Sequence, residues 1–237
     1  MKEGYTRREC LKKGVALTLR TLAGGFTVYS LVRLLSDESR EEFTPLTNNL
    51  FLEYDRTYAE ERLKVVNKKL EATYNFMWDD NNIQLNVAAR ELNQLISEGA
   101  IYFQAFSVGV FRPEYWGSYP SPMESGWRIH VGDELPDRLL TDLSPQELAV
   151  FAYYGVEFLK LAKKNESFSA VERARQFQEL DDLAWENALL NVYRPFSSQI
   201  KDTFLKSLWE KYQKCRDAID FNICWAKVPK TSLLYSR

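Results

Sequence analysis

The chain has 237 residues, is 45% hydrophobic, 27% charged and 14% aromatic, and carries a formal net charge of −2. Its apolar content is enough to offset the ordering entropy of a folded domain, so a disordered or collagen-like chain is excluded; at most one stretch could enter a bilayer, which excludes a polytopic membrane protein. One histidine, His130, and three cysteines without a CxxC pair exclude two-histidine metal sites and four-thiolate zinc or iron–sulfur centres. No glycine loop of phosphate-binding type is present. The acid pairs Asp79-Asp80 and Asp181-Asp182 read as solvated helix ends, so no metal and no cofactor are expected.

The charge is unevenly spread. Residues 1–36 hold seven basic side chains against two acidic ones, whereas residues 37–237 hold 24 against 31. The acidic body would repel a phosphate backbone, so nucleic acid is not an expected partner. The basic start reads Thr6-Arg7-Arg8-Glu9-Cys10-Leu11-Lys12, with an apolar run behind it over residues 14–32. This resembles the bacterial twin-arginine export signal, carried on Arg7, Arg8, Leu11 and Lys12, with Cys10 where phenylalanine is usual. Arg20 interrupts the apolar run, and Ala23-Gly24-Gly25 supplies small residues in place of a standard cleavage site. As an uncleaved helix, the run would span about 28 Å, enough to anchor the chain in a membrane. The resemblance implies a periplasmic protein, or one facing the periplasm from the inner membrane. The alternative is a cytoplasmic protein whose first helix is core. Residues 1–35 are thus read as signal or anchor, 36–54 as a polar linker and 55–237 as an all-α domain.

Within that domain the apolar spacing predicts a bundle of about five long helices. Ala59, Leu63, Val66, Leu70, Tyr74 and Met77 mark the first, over residues 56–77. Leu85, Ala88, Leu92, Leu95, Gly99, Phe103 and Phe106 mark the second, over 83–108, with Gly99 as a close crossing point. Ser144-Pro145-Gln146-Glu147 is a capping box with proline at the first helical position, opening a third helix to about residue 164. Ser169 to Glu172 repeats the signal for a fourth helix, which runs until Pro195. Ile200, Phe204, Leu208, Tyr212, Cys215 and Ile219 mark a fifth over 198–219.

Residues 110–143 show no helical pattern and form one long loop rich in aromatics and proline; only Trp127 to Val131 alternates like a strand. Loops of this length are usually functional. Phe111, Arg112, Tyr115, Trp116, Tyr119, Trp127 and Arg128 are residue types that anchor protein interfaces, so the segment 110–136 is the expected docking surface for a larger protein complex. A lid folded onto the bundle is the competing expectation.

Candidate chemistry is sparse. His130 with Asp133, Glu134 or Glu124 has the makings of an acid–base pair. Glu124-Ser125 resembles the Glu-Ser pair of the lytic transglycosylases, which implies an exported glycan- or cell-wall-acting enzyme using Glu124; Gly126-Trp127-Arg128 follows where that family has another signature. Cys215 and Cys224 are either a disulfide, if the protein is exported, or two buried thiols. The reading adopted is a non-catalytic accessory or structural subunit of an exported, membrane-associated complex. The alternatives are the glycan-acting enzyme and a cytosolic all-α interaction domain.

Overall fold

The computed structural model describes residues 41–47, 56–78, 82–108, 112–116, 126–135, 138–164 and 170–228. Residues 43–237 form one unit, separate from 1–42. The chain is mostly helical, as the periodicity predicts. Helix α1 spans Arg56–Met77, α2 Ile83–Ser97, α3 Pro145–Lys163, α4 Ala170–Ala188 and α5 Thr203–Arg216, with a short α6, Phe221–Ala226, that the apolar spacing does not signal. Among the described residues no helix is long and apolar enough to cross a membrane. The export motif and the apolar run 14–32 lie outside the described residues.

The helices surround α3. Every residue from Glu147 to Val156 is buried, so this helix is enclosed on all sides rather than along one stripe. Its start is as predicted: the Ser144 hydroxyl accepts from Glu147 N–H, and the Glu147 carboxylate accepts from Ser144 N–H at 2.7 Å. The same carboxylate reaches 54 residues along the chain to take the N–H groups of Lys201 (2.7 Å) and Asp202 (2.8 Å). A local cap thereby also fastens the approach to α5. Burial alone raises the Glu147 carboxyl, but the bonds from Ser144, Lys201 and Asp202 outweigh it and hold the group below its ordinary range.

Three expectations change in detail. The second helix stops at Ser97 instead of running to 108. Gly99 takes φ 70°, Gly99 N–H bonds the carbonyl of Ile96, and Ala100 N–H bonds that of Leu95. That pair of bonds with a left-handed glycine is a Schellman stop, so Gly99 ends the helix and is not a crossing point on its face. Beyond it, Ile101 to Val108 is strand, because its aromatic and β-branched residues also suit a pleat and find a partner. The fourth helix does persist to Pro195, passing through a π turn, Leu189–Tyr193, into a last turn, Arg194–Phe196. Arg194 N–H bonds Leu189 O, a widened register that lets the chain meet a residue with no N–H. The fifth helix begins at Thr203 because the Asp202 side chain caps it, accepting from Leu205 N–H at 2.7 Å.

Part of the supposed polar linker also packs. Phe43 lies 5.6 Å from the Tyr74 ring and Leu46 is buried. Asn67 accepts from Leu46 N–H and donates to Leu46 O, while Asn93 accepts from Thr44 N–H. Two side-chain amides thus stand in for a neighbouring strand and seat residues 43–47 on α1 and α2.

Candidate functional site

Where the structure describes it, the supposed loop is mostly sheet. Strand β1 is Ile101–Val108, β2 Arg112–Trp116, β3 Gly126–Leu135 and β4 Arg138–Leu139. The alternating stretch from Trp127 to Val131, expected as one hairpin arm, is the centre of this sheet: β1 pairs with β3 in parallel, and β2 pairs with it antiparallel on the other side. β4 pairs with the end of β3. Pro113 is tolerated because β2 is an edge strand.

Pleating sorts the residues onto two faces. Ile101 and Phe103 on β1, with Ile129 and Val131 opposite them on β3, are fully buried in the helical core. Trp127 shares this inner side. It packs edge-on to Phe158 of α3 at 5.3 Å and against Phe177 of α4 at 5.7 Å. Trp127 is thus half-buried against the core, and Tyr115 stands in register with it.

The alternate positions form the outer face. Tyr102, His130 and Arg112 occupy one row across β1, β3 and β2; Glu114 and Arg128 occupy the next, with Trp116 opposite Gly126 beyond them. The seven predicted docking residues are thus divided. Trp127 and Arg128 are adjacent on β3 and take opposite faces, Arg112, Tyr115 and Trp116 are placed by their backbone register on β2, and Phe111 and Tyr119 lie outside the described residues, as does Glu124.

At the middle of the outer face, the Tyr102 hydroxyl and His130 Nε2 are hydrogen-bonded, with ring centroids 4.1 Å apart. Both residues are only 2% exposed. The expected carboxylate partners Asp133 and Glu134 follow on the same strand, with side chains outside the described ones. An imidazole enclosed in this way ties two parallel strands together and does not meet a substrate in bulk water. Tyr102 carries no sequence signal of this role, because it meets His130 only through parallel pairing across 28 residues. Among the described residues no group of three or more His, Cys, Asp or Glu side chains could hold a metal ion.

Away from the sheet in sequence, Cys215 and Cys224 are joined as a disulfide with Cα atoms 5.3 Å apart. The bond fastens α6 to the last turn of α5, and closing so short a loop contributes about 2–3 kcal/mol in the chain-entropy account. Trp225 is buried behind it, its indole N–H donating to Asp182 O at 3.0 Å and its ring edge-on to Tyr212 at 5.2 Å. Tyr212 in turn donates to Glu186, and burial together with that carboxylate pushes its phenol up to about 12.

The chain matches no known family, no curated protein and no solved structure.

Proposed function

We propose that this chain is a non-catalytic accessory subunit of an exported, membrane-associated complex, and that it docks through the outer face of the β1–β3–β2 sheet. The observation that carries the reading is the two-sidedness of that sheet. One face is spent on the core, while on the other Arg128 stands two residues before His130 on β3, and Arg112 and Trp116 of β2 are paired through the backbone with His130 and Gly126; these are residue types that anchor interfaces. The Cys215–Cys224 bond supports export, since such bonds persist in oxidising compartments. It links cysteines nine residues apart on neighbouring helices, so it can close on a domain already folded, which suits a route that carries folded proteins. Residues 14–32 would serve as signal or anchor, with the domain facing the periplasm.

Two measurements test this. Trp116→Ala is expected to weaken co-purification with the partner complex by about 2 kcal/mol while the melting temperature hardly changes. Trp127→Ala is expected to do the reverse, costing about 2–3 kcal/mol of stability through the gap left beside Phe158 and Phe177, with binding intact in the folded fraction. The opposite ranking would remove the outer face as the docking surface. For export, changing Arg7 and Arg8 together to lysine should leave the protein in the cytoplasm although its charge is unaltered, because a receptor that reads guanidinium geometry does not accept an ammonium. Unchanged fractionation of that variant would remove the twin-arginine route.

A further inference from the structure

The disulfide end of the fold carries two exposed isoleucines. Ile219, in the turn between α5 and α6, is completely exposed (110%), and Ile223 on α6 is 56% exposed. An apolar residue just before a helix N-cap normally packs onto the fourth helical position. Here the cap is Asp220, whose side chain accepts from Ile223 N–H at 3.1 Å, and the fourth position is Cys224. Cys224 is already bonded to Cys215, so Ile219 is left at the tip of a turn stapled at both ends.

The surroundings of that tip differ from the rest of the body. Residues 206–227 hold five basic side chains (Lys206, Lys211, Lys214, Arg216, Lys227) against Glu210 and the exposed Asp217 and Asp220 on either side of Ile219, within a body that is otherwise acidic. Lys214, Arg216 and Lys227 are exposed. Because the bonded Cα atoms are 5.3 Å apart, Arg216 and Ile223 lie at most about 13 Å from one another by chain geometry. The Asp220 carboxylate is turned onto the start of its own helix, which lessens its opposition to an incoming anion.

We propose that this end of the domain docks on an anionic lipid surface, with Ile219 and Ile223 entering the interface and Lys214, Arg216 and Lys227 reaching the headgroups. Two aliphatic side chains on a stapled, protruding tip match a wedge at the acyl boundary. A protein interface favours instead a packed centre with aromatic residues and few lysines. Basic side chains flanking such a wedge are drawn to anionic lipid and can extend their charge into the headgroup layer while their stems cover apolar surface. The acidic remainder of the body is repelled by the same surface, so attraction and repulsion together select one orientation. The inference does not depend on the docking role of the sheet or on residues 14–32, and its test reads this site separately from both.

The experiment is hydrogen–deuterium exchange on the full-length, oxidised chain, followed by peptide. Vesicles of equal parts phosphatidylglycerol and phosphatidylcholine are compared with vesicles of phosphatidylcholine alone. The expected result is slowed exchange at amides 217–224 on the anionic vesicles only. Ile219→Asp, or Lys214→Glu with Arg216→Glu, should raise the lipid concentration needed for that protection about tenfold or more. All three positions are exposed, so the variants are expected to fold, and an unchanged far-ultraviolet spectrum with a closed disulfide checks that they have. Exchange at 217–224 that is indifferent to lipid while 14–32 becomes protected would overturn the proposal in favour of attachment through the N-terminal run. Protection of 217–224 that rises with protein concentration in the absence of lipid would overturn it in favour of a second copy.

Discussion

Glu147→Ala should lower the unfolding free energy by about 3–5 kcal/mol. The carboxylate accepts from three backbone N–H groups, those of Ser144, Lys201 and Asp202, and Asp202 is itself buried. Each donor left without its charged acceptor costs about 1–3 kcal/mol, less whatever water can restore. The loss falls on two elements at once, because the start of α3 and the approach to α5 share this single side chain. Glu147→Gln keeps an acceptor oxygen and a similar shape, so it should cost less than the alanine variant. Urea unfolding at neutral pH gives both numbers, and equal losses for the two variants would mean that side-chain volume, not the bonding, is what matters.

The pH dependence of this contribution has a definite sign. The folded-state pKa of Glu147 lies below its ordinary value of 4.5. Its stabilisation is therefore complete above that value and is lost as pH falls through the lower, folded-state one. The difference between wild type and Glu147→Gln should accordingly be constant from pH 7 to about pH 5 and shrink in more acid solution. A difference that grows on acidification would contradict this assignment.

Alkaline solution should unfold the domain steeply. Four buried tyrosines, Tyr153, Tyr154, Tyr193 and Tyr212, have phenols held above their ordinary value of 10, in each case chiefly by burial and with a nearby carboxylate adding to it. Tyr154 is the extreme case, its hydroxyl donating to Asp181 at 2.6 Å in the core. A raised folded-state pKa means that stability is complete below the unfolded value and lost as pH rises beyond it. Each phenol that ionises only in the unfolded chain contributes up to about 1.4 kcal/mol per pH unit. Lys160 acts in the same direction: burial lowers it, but Glu91 and Glu157, both within about 3 Å, prevail and raise it. Stability should therefore fall as pH rises beyond 10. Tyrosinate absorbance should lag behind that of free tyrosine and then appear together with the loss of helical signal. A gradual titration of all thirteen tyrosines with the fold intact would refute this account.

Local rules in the chain already contain much of this architecture. The apolar stripe from Ala59 to Met77 and the Ser144–Glu147 box each define a helix without outside help, because spacing and capping act within a few residues. Cys215 and Cys224 could be paired on paper by their separation, although compartment rather than spacing decides whether such a bond forms. The run from Leu95 to Phe106 could not be read in the same way. Its apolar residues satisfy a four-residue step as well as a pleat, and Gly99 can be either a crossing point or a stop. Parallel pairing with β3, across 28 residues, decides between them.

The candidate site divides along the same line. Arg112, Trp116, Trp127, Arg128 and His130 stand out by residue type alone, since arginine and large aromatics in a proline-rich stretch without helical spacing are uncommon. Which of them face the core is set by register, and a shift of one residue would exchange the two faces. Composition and periodicity by themselves determined a mostly helical domain, the starts of its first four helices, an acidic body behind a basic N-terminus and the residues to watch in its middle. Only the tertiary structure decided that those residues lie on a sheet, that Trp127 packs against the core, that Tyr102 bonds His130, and that Glu147 joins α3 to the start of α5. Each of these is a contact between segments distant in the chain, and no pattern confined to neighbouring residues encodes it.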